Sequence, residues 1–164
     1  MSINKVLAAA KADIDTAYKE GVNNKNKFGD WQGIPNQPWC ASAVSFWFNQ
    51  AASVKLVAAQ SKSKGFWSCD AGLKWFAKNG QLVSIEQAQP GDVVFFQFDT
   101  DAEPEHVGIV VTNQVEKKIL ICYEGNTCSD GATGSQANGN GAYKKKRSYS
   151  RVMAVCRPSW DTVK

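Results

Sequence analysis

The sequence predicts an α+β domain in which amino-terminal helices pack on a carboxy-terminal antiparallel sheet. Two observations lead to this class. Apolar residues recur at helical spacing through the first half of the chain, and from Leu82 onward they form short β-branched and aromatic runs bounded by turn residues. Helices followed by strands are typical of helices packed on one side of an antiparallel sheet. The 164 residues, with no internal repeat or linker, predict a single domain.

Three helices are expected in the first half. The first begins near Ser2, which can cap it, and its apolar residues continue at helical spacing until Gly21. A stretch rich in Asn, Gly and Pro, residues 23–38, predicts a loop. The second helix begins at or beside Cys40, and the thiol lies on the same face as its apolar residues.

The third helix covers residues 69–78, with Ser68 as its cap and Asn79-Gly80 as its end. Four strands are expected after it. They cover residues 93–98, 106–112, 118–124 and 149–157. Between the last two, the Gly- and Asn-rich residues 125–142 predict a long loop that is either flexible or functional. The basic run at residues 144–147 then predicts a solvated strand or loop edge, with anion binding as the alternative.

Composition and charge exclude several classes of protein. Hydrophobic residues make up 43% of the chain and charged residues 21%, which excludes disordered, collagenous and coiled-coil proteins. The net charge of +4 is too small to indicate a nucleic-acid partner, although it suits an anionic surface. No apolar run approaches the roughly 18 residues of a membrane-spanning helix, and residues 6–10 are too short for a secretory signal. We therefore expect cytoplasmic synthesis without a signal peptide, no stable membrane insertion and a monomer.

Missing motifs narrow the chemistry further. The chain has no Walker phosphate loop, no Gly-x-Gly-x-x-Gly and no Gly-x-Ser-x-Gly elbow, so the commonest nucleotide-binding and serine-hydrolase signatures are absent. Its five Cys include no Cys-x-x-Cys pair, which argues against a zinc ribbon. If a nucleophile works here, a Cys with His106, the single His, is the natural pair.

Cys40 and His106 form a candidate dyad. A thiol at a helix amino terminus or beside an imidazolium has a lowered pKa, and Cys40 meets the first condition by its position. His106 begins a predicted strand, from which its ring can reach a helix start. If the strand ending at Glu124 is its hairpin partner, Glu124 or Asn126 lies close enough to orient the imidazole.

Each of these residues also has a structural interpretation. Free Cys is among the most buried residue types, a lone His before a strand is more often structural than catalytic, and Glu124 can be an exposed strand end. Cys69 also lies near a helix start, so spacing alone leaves two candidate nucleophiles. The remaining thiols, Cys122, Cys128 and Cys156, are free or bridged, and the sequence does not decide between these states.

Four short blocks carry a resemblance to a known family. They are residues 37–47 (QPWCASAVSFW), 90–96 (PGDVVFF), 105–110 (EHVGIV) and 123–127 (YEGNT). In this order they resemble the CHAP family, the cysteine, histidine-dependent amidohydrolase/peptidase of many bacteriophage endolysins, within the papain-like NlpC/P60 superfamily. The resemblance covers most of the chain and favours Cys40 over Cys69. It implies a papain-like fold.

The resemblance also implies residue roles. Cys40 is the expected nucleophile, His106 the general base and later acid, and Glu124 the residue that orients the imidazole, with Asn126 as a further polar partner. For the oxyanion, the Cys40 backbone N–H is one expected donor and the Gln37 amide a weaker one.

Substrate and metal expectations follow from the same comparison. Trp39, Phe66 and Trp67 are candidate cleft walls, and with Gln37 they make up the expected substrate contacts. Some related lysins bind calcium before the cysteine, but residues 23–30 hold one carboxylate, Asp30, so we expect neither an essential metal nor a cofactor.

Three functions remain to be compared. The first is a peptidoglycan hydrolase that cuts an amide bond, as an N-acetylmuramoyl-L-alanine amidase or as a stem-peptide or cross-bridge endopeptidase, and reaches the wall after release from the cell. The second is a papain-like protease or deamidase acting on proteins. The third is a non-catalytic wall-binding module, since a fold does not determine a function.

Overall fold

A computed structural model of the protein describes residues 2–51, 53–132 and 134–162, except the side chain of Ser2. It confirms the α+β class, with helices packed on one antiparallel sheet. The predicted cap at Ser2 concerns a side chain outside this description. The described helices are α1 (Ser2–Asp15), α2 (Lys27–Gln32), α3 (Cys40–Gln50) and α4 (Cys69–Lys78), with short 3-10 turns between and after them.

The starts of α3 and α4 are confirmed. α3 begins at Cys40. α4 begins at Cys69, and the Ser68 side chain accepts a hydrogen bond from the backbone N–H of Ala71 at 3.2 Å, as expected for a cap. Both candidate nucleophiles are therefore the first residue of a helix.

Helix α1 ends earlier than predicted. Ala17 adopts a left-handed φ of 54°, and the Tyr18 N–H returns to the carbonyl of Asp13 at 2.9 Å, which closes a Schellman-type cap. Tyr18 is then placed edge-on to Phe28 and Trp39, with ring centroids 5.0 and 5.7 Å away. Aromatic packing thus ends the helix before Gly21 is reached.

Helix α2 corrects the loop predicted over residues 23–38. The Asn26 side chain caps it by accepting from the Gly29 N–H at 2.7 Å, and Gly33 ends it with a φ of 85°. Phe28, at its second position, is fully buried and stacks on Trp39. The capping signals were present in the sequence, but a helix this short has too little apolar periodicity to detect.

The sheet contains six described strands in the order β1-β6-β2-β3-β4-β5, and every pairing is antiparallel. The strands are β1 (Leu82–Val83), β2 (Val93–Phe96), β3 (His106–Gln114), β4 (Ile119–Thr127), β5 (Gly141–Ser148) and β6 (Val152–Cys156). The expected pairing of β3 with β4 is confirmed, with Ile109 opposite Tyr123.

Strand β5 corrects the interpretation of the basic run. β5 pairs with β4 along nearly its whole length, so the loop before it covers only residues 128–140. Along β5 burial alternates, because successive side chains point to opposite faces of a strand. Lys144 and Lys146 are exposed, whereas Lys145 and Arg147 are buried. Half of the run that was expected to be solvated thus lies inside the protein.

Helix α3 is the central element of the core. It packs on β3 and β4 and also touches α1 and α2. Trp47 is fully buried, and its indole N–H donates to Asp13 of α1 at 2.8 Å. The approach of α3 to the sheet is close at Gly125 of β4, where an added Cβ would lie 2.7 Å from the Ala43 Cβ and 2.8 Å from the Trp39 ring.

None of the described helices combines the length and the apolar character that crossing a membrane requires.

Replacing Gly125 tests whether this close approach contributes to stability. We expect Gly125→Ala to lower the free energy of unfolding by about 1–3 kcal/mol, because the methyl group overpacks the contact between α3 and β4. Denaturant unfolding measures the change. The matched control is Gly21→Ala, at an exposed position with a φ of −89° and no neighbour closer than 3.7 Å. Equal stability of the two variants would contradict the prediction.

Candidate active site

Two helix starts bring two thiols together. Cys40 opens α3 and Cys69 opens α4, and their sulfur atoms lie 3.8 Å apart. The first backbone N–H groups of a helix have no acceptor within the helix and carry its positive partial charge. Cys40 is 6% exposed, so its sulfur lies in a place that largely excludes water and favours a negative charge.

The β3–β4 hairpin brings His106 and Glu124 together. His106 begins β3. With Ile109 opposite Tyr123, Glu124 of β4 lies across from Gly108 and diagonal to His106. The imidazole Nε2 lies 2.7 Å from the Glu124 Oε1, and both side chains are fully buried. The other ring nitrogen, Nδ1, is buried without a hydrogen-bond partner among the described residues, and the nearby Cys40 thiol helps to raise the pKa of the ring. The structure therefore brings Cys40, His106 and Glu124 into one chain of contacts.

Arg147 completes this chain and was not identified as a site residue from the sequence. Its Nε donates to both Glu124 oxygens at 3.1 and 3.0 Å, and its Nη2 donates to Oε1 at 2.5 Å. The guanidinium carbon lies 5.3 Å from the Phe96 ring centre and 4.9 Å from that of Phe98. The alternation of burial along β5 was the one available signal, but it depends on recognising β5 as a strand.

Neighbouring charges determine the protonation of the thiols. A hydrogen bond from Cys69 and the nearby His106 hold the pKa of the Cys40 thiol well below its ordinary value, although burial opposes this shift. The pKa of Cys69 is raised well above its ordinary value, because the thiol donates to Cys40 and is partly buried. The pair therefore shares one negative charge, which resides on Cys40.

The imidazole and the carboxylate are both charged in this environment. Burial alone would lower the pKa of His106, but Glu124 and the Cys40 thiolate outweigh it and raise the value to about 9. Burial likewise raises the pKa of Glu124, and the charges of His106 and Arg147 overcome it, so the net shift is downward. The directions of these pKa shifts favour a row of four charges of alternating sign: the Cys40 thiolate, the His106 imidazolium, the Glu124 carboxylate and the Arg147 guanidinium.

Asn126 lies near this row without contacting the imidazole. It is buried in β4 with a left-handed φ of 55°, and its amide donates to the Asn138 side chain at 3.1 Å. The sequence offered Glu124 or Asn126 as the residue that orients the imidazole, and Glu124 is the one that lies beside Nε2. The Asn126 amide therefore links the end of β4 to the loop that follows, and its Oδ1 is buried without a hydrogen-bond partner among the described residues.

The expected substrate contacts differ in exposure. Trp39 is fully buried, stacks on Phe28 with 5.0 Å between ring centroids, and donates its indole N–H to Glu20 at 2.8 Å. It offers no surface to a ligand, which corrects its interpretation as a cleft wall. Phe66 is also fully buried, whereas Gln37 and Trp67 are exposed. The two exposed residues remain available as substrate contacts.

One group of carboxylates has the spacing of a metal site. Among the described residues, Asp99, Asp101 and Glu105 place one oxygen each within 4.8 Å of the others. All three accept hydrogen bonds, and each of these bonds comes from a backbone N–H in the same loop or at its start. These contacts assign the carboxylates to the structure of the loop before β3. The cluster lies outside residues 23–30, the stretch that corresponds to the calcium loop of some related lysins and in which no metal is expected here.

The comparison with protein families identifies the architecture. The model of the NlpC/P60 family matches residues 27–151, a range that contains Cys40, His106, Glu124 and Arg147. Helices packed on a six-stranded antiparallel sheet agree with the papain-like fold of that family. A search of the curated proteins found no match.

Arg147 offers a direct test of the charge row. We expect Arg147→Ala to lower the free energy of unfolding by about 3–5 kcal/mol, because it removes one of the two cations that hold the buried Glu124 carboxylate. Lys144→Ala is the matched control, since Lys144 belongs to the same strand but is exposed, and we expect it to stay within about 0.5 kcal/mol of the parent. Thermal and denaturant unfolding measure both variants. A similar loss of unfolding free energy in Arg147→Ala and Lys144→Ala would show that the Arg147–Glu124 ion pair does not stabilise the protein.

Proposed function

The chain belongs to the NlpC/P60 family, which includes cell-wall peptidases and amidases, and on this premise we propose that it is a peptidoglycan hydrolase that cuts an amide bond with Cys40. The observation that carries the proposal is the buried row of Cys40, His106 and Glu124 at the start of a helix. Cysteine hydrolysis of an amide needs a thiolate, a proton donor for the leaving amine and a group that orients the donor. The three residues have the chemistry for these roles.

In the first step the Cys40 thiolate attacks the amide carbonyl. The carbon–sulfur bond forms as the carbonyl electron pair moves to oxygen, which becomes an oxyanion. The Cys40 backbone N–H, at the first position of α3, is the expected donor to this oxygen. Gln37, exposed and three residues earlier, is the candidate for a second donor.

In the second step the His106 imidazolium gives its proton to the departing amine, and the carbon–nitrogen bond breaks. Glu124 holds the ring through Nε2, which leaves Nδ1 toward the sulfur and the reacting atoms. The neutral imidazole then takes a proton from water, and the resulting hydroxide releases the acyl group from Cys40. Arg147 acts through Glu124 by keeping the carboxylate ionised and in place.

The finer identity is an expectation from the sequence motifs. The protein acts as a CHAP-type, endolysin-like enzyme that needs no metal, either as an N-acetylmuramoyl-L-alanine amidase or as a stem-peptide or cross-bridge endopeptidase. Trp67, 37% exposed one residue before the α4 cap, supplies an apolar surface to the substrate. Exposed lysines such as Lys144 and Lys146 attract anionic wall polymers, and added salt weakens this attraction.

The assignment predicts loss of activity on a single substitution. We expect wild-type protein to clear suspensions of purified Gram-positive walls, and Cys40→Ser to lower the rate by at least about 1,000-fold, because a serine hydroxyl stays protonated at neutral pH. Mass spectrometry of the soluble products identifies the bond by the new amino termini. Cys128→Ser is the matched control, since the Cys128 sulfur contacts Gly134 and Gln136 in the long loop, and it keeps its activity.

Other outcomes discriminate between the functions considered. Clearing by Cys40→Ser at the wild-type rate would overturn the role of Cys40. Cleavage of casein with intact walls would favour a protease of proteins, and wall binding without release of product would favour a binding module.

The pKa of His106 predicts the alkaline limit of activity. The imidazolium is the proton donor, and its pKa of about 9 means that it is present below this pH and lost above it. We expect kcat/KM on soluble wall peptides to fall tenfold per pH unit above about 9. Glu124→Gln removes the carboxylate that raises the pKa, so its alkaline limit moves to lower pH. An alkaline limit that is the same in both proteins would contradict the role of the His106–Glu124 pair.

A further inference from the structure

Cys69 is a half-buried thiol that the mechanism above does not use. Its sulfur lies 3.8 Å from the nucleophile sulfur, within hydrogen-bond range for two sulfur atoms. Both residues occupy the first position of a helix, so the amino termini of α3 and α4 meet at the pair. The distance is too long for a disulfide, whose sulfur atoms lie about 2.05 Å apart. The contact is therefore a hydrogen bond, S–H to S.

The segment that carries Cys69 is firmly attached to α3. Ser45 of α3 accepts a hydrogen bond from the Phe66 N–H at 2.9 Å and donates one to the Phe66 carbonyl at 2.8 Å. Gln60 accepts from the backbone N–H groups of Trp67 and Ser68, at 2.8 Å each. These contacts fix the start of α4 relative to the helix that carries Cys40.

The body of α4 is fixed as well. At Gly72 an added Cβ would lie 2.6 Å from the Phe66 ring and 3.1 Å from the Phe95 ring, so the helix packs directly on these aromatic groups. Because both ends of the contact are held by buried residues, the 3.8 Å between Cys40 and Cys69 is a property of the packing.

The direction of the hydrogen bond follows from the protonation of the two thiols. Cys40 faces the His106 imidazolium and the Ala41 N–H, both of which favour its thiolate. Cys69 faces Cys40 as its charged neighbour, and its pKa is raised, so it keeps its proton. The 3.8 Å contact allows either sulfur to donate, and these pKa shifts favour Cys69 as the donor and Cys40 as the acceptor.

We propose that Cys69 is a positioning residue for the nucleophile. Its S–H donates a hydrogen bond that holds the Cys40 sulfur between the start of α4 and His106 and stabilises the thiolate. This inference rests on the proposed function insofar as it concerns turnover, but the hydrogen bond itself is a property of the resting protein. It also answers the question that the sequence left open, since Cys69 assists the nucleophile and does not replace it.

The test compares two substitutions that differ in one hydrogen-bond donor. Cys69→Ala removes the donor, and Cys69→Ser keeps one as a hydroxyl of similar size. The rate of Cys40 alkylation by iodoacetamide is followed from pH 4 to 9 by peptide mass spectrometry, in the presence of a phosphine reductant. We expect the half-maximal rate of Cys69→Ala to move upward by roughly half a pH unit or more relative to wild type, which is the shift expected for one weak hydrogen bond. Cys69→Ser restores most of the wild-type profile.

Several outcomes overturn the proposal. They are an unchanged profile in Cys69→Ala, a shift to lower pH, or equal shifts in the alanine and serine variants, which would indicate repacking instead of a lost donor. A circular dichroism melt confirms that each variant is folded before alkylation.

Wall clearing is measured on the same samples, and kcat is expected to fall in Cys69→Ala with little change in KM. If wild type fails to act on walls while the alkylation profile shifts as expected, the hydrogen bond stands and the proposed function fails. If wild type acts on walls and the profile does not shift, the function stands and the role of Cys69 fails.

Discussion

The buried carboxylate of Glu124 is the constraint on which the site depends. An ionised carboxylate removed from water is strongly unfavourable unless cations and hydrogen bonds replace its hydration. Here His106 contacts one oxygen of Glu124, and Arg147 donates to both. Each of the two cations is in turn held by other groups, His106 by the Cys40 thiolate and Arg147 by Gln136 and two aromatic rings. No member of the row is stable at this depth by itself, so the four charges form a single unit.

Sheet register and helix packing hold that unit together. The antiparallel pairing of β3 with β4 sets the distance from His106 to Glu124, and the pairing of β4 with β5 brings Arg147 to the same carboxylate. The thiolate comes from a third element, since α3 lies across β3 and β4 and approaches so closely that Gly125 has no room for a side chain. The helix that carries the thiolate is therefore held against β4 one residue after Glu124, where Gly125 lies against the side chains of Ala43 and Trp39.

Those parts of the site that lie on regular, strongly patterned elements could be predicted from the sequence. Cys40 at the start of a helix, and Glu124 beside His106 in a hairpin of β3 and β4, follow from periodicity and antiparallel geometry; in the structure Glu124 lies across from Gly108, diagonal to His106, and its carboxylate reaches the imidazole. Arg147 could not be found in this way, because a run of basic residues is typical of an exposed edge, and the pairing that buries every second one is a tertiary contact. Trp39 was misjudged for a related reason: its neighbour Cys40 suggested a cleft, but α2 and Tyr18 enclose the ring.

The loop of residues 128–140 shows how the charge row extends beyond the reacting groups. Gln136 accepts from Arg147 through its side-chain oxygen and donates to the Cys128 sulfur through its nitrogen, and its backbone carbonyl accepts from Thr127. Lys145, two residues before Arg147 and on the same face of β5, donates to the Cys128 carbonyl. The two buried cations of β5 thus bind different groups: Arg147 binds the Glu124 carboxylate, and Lys145 binds the Cys128 carbonyl at the start of the loop. Gln136 connects the two contacts, because its side chain binds both Arg147 and the Cys128 sulfur. Arg147 binds both Gln136 of the loop and the Glu124 carboxylate. The position of the loop and the charge state of Glu124 therefore depend on the same guanidinium.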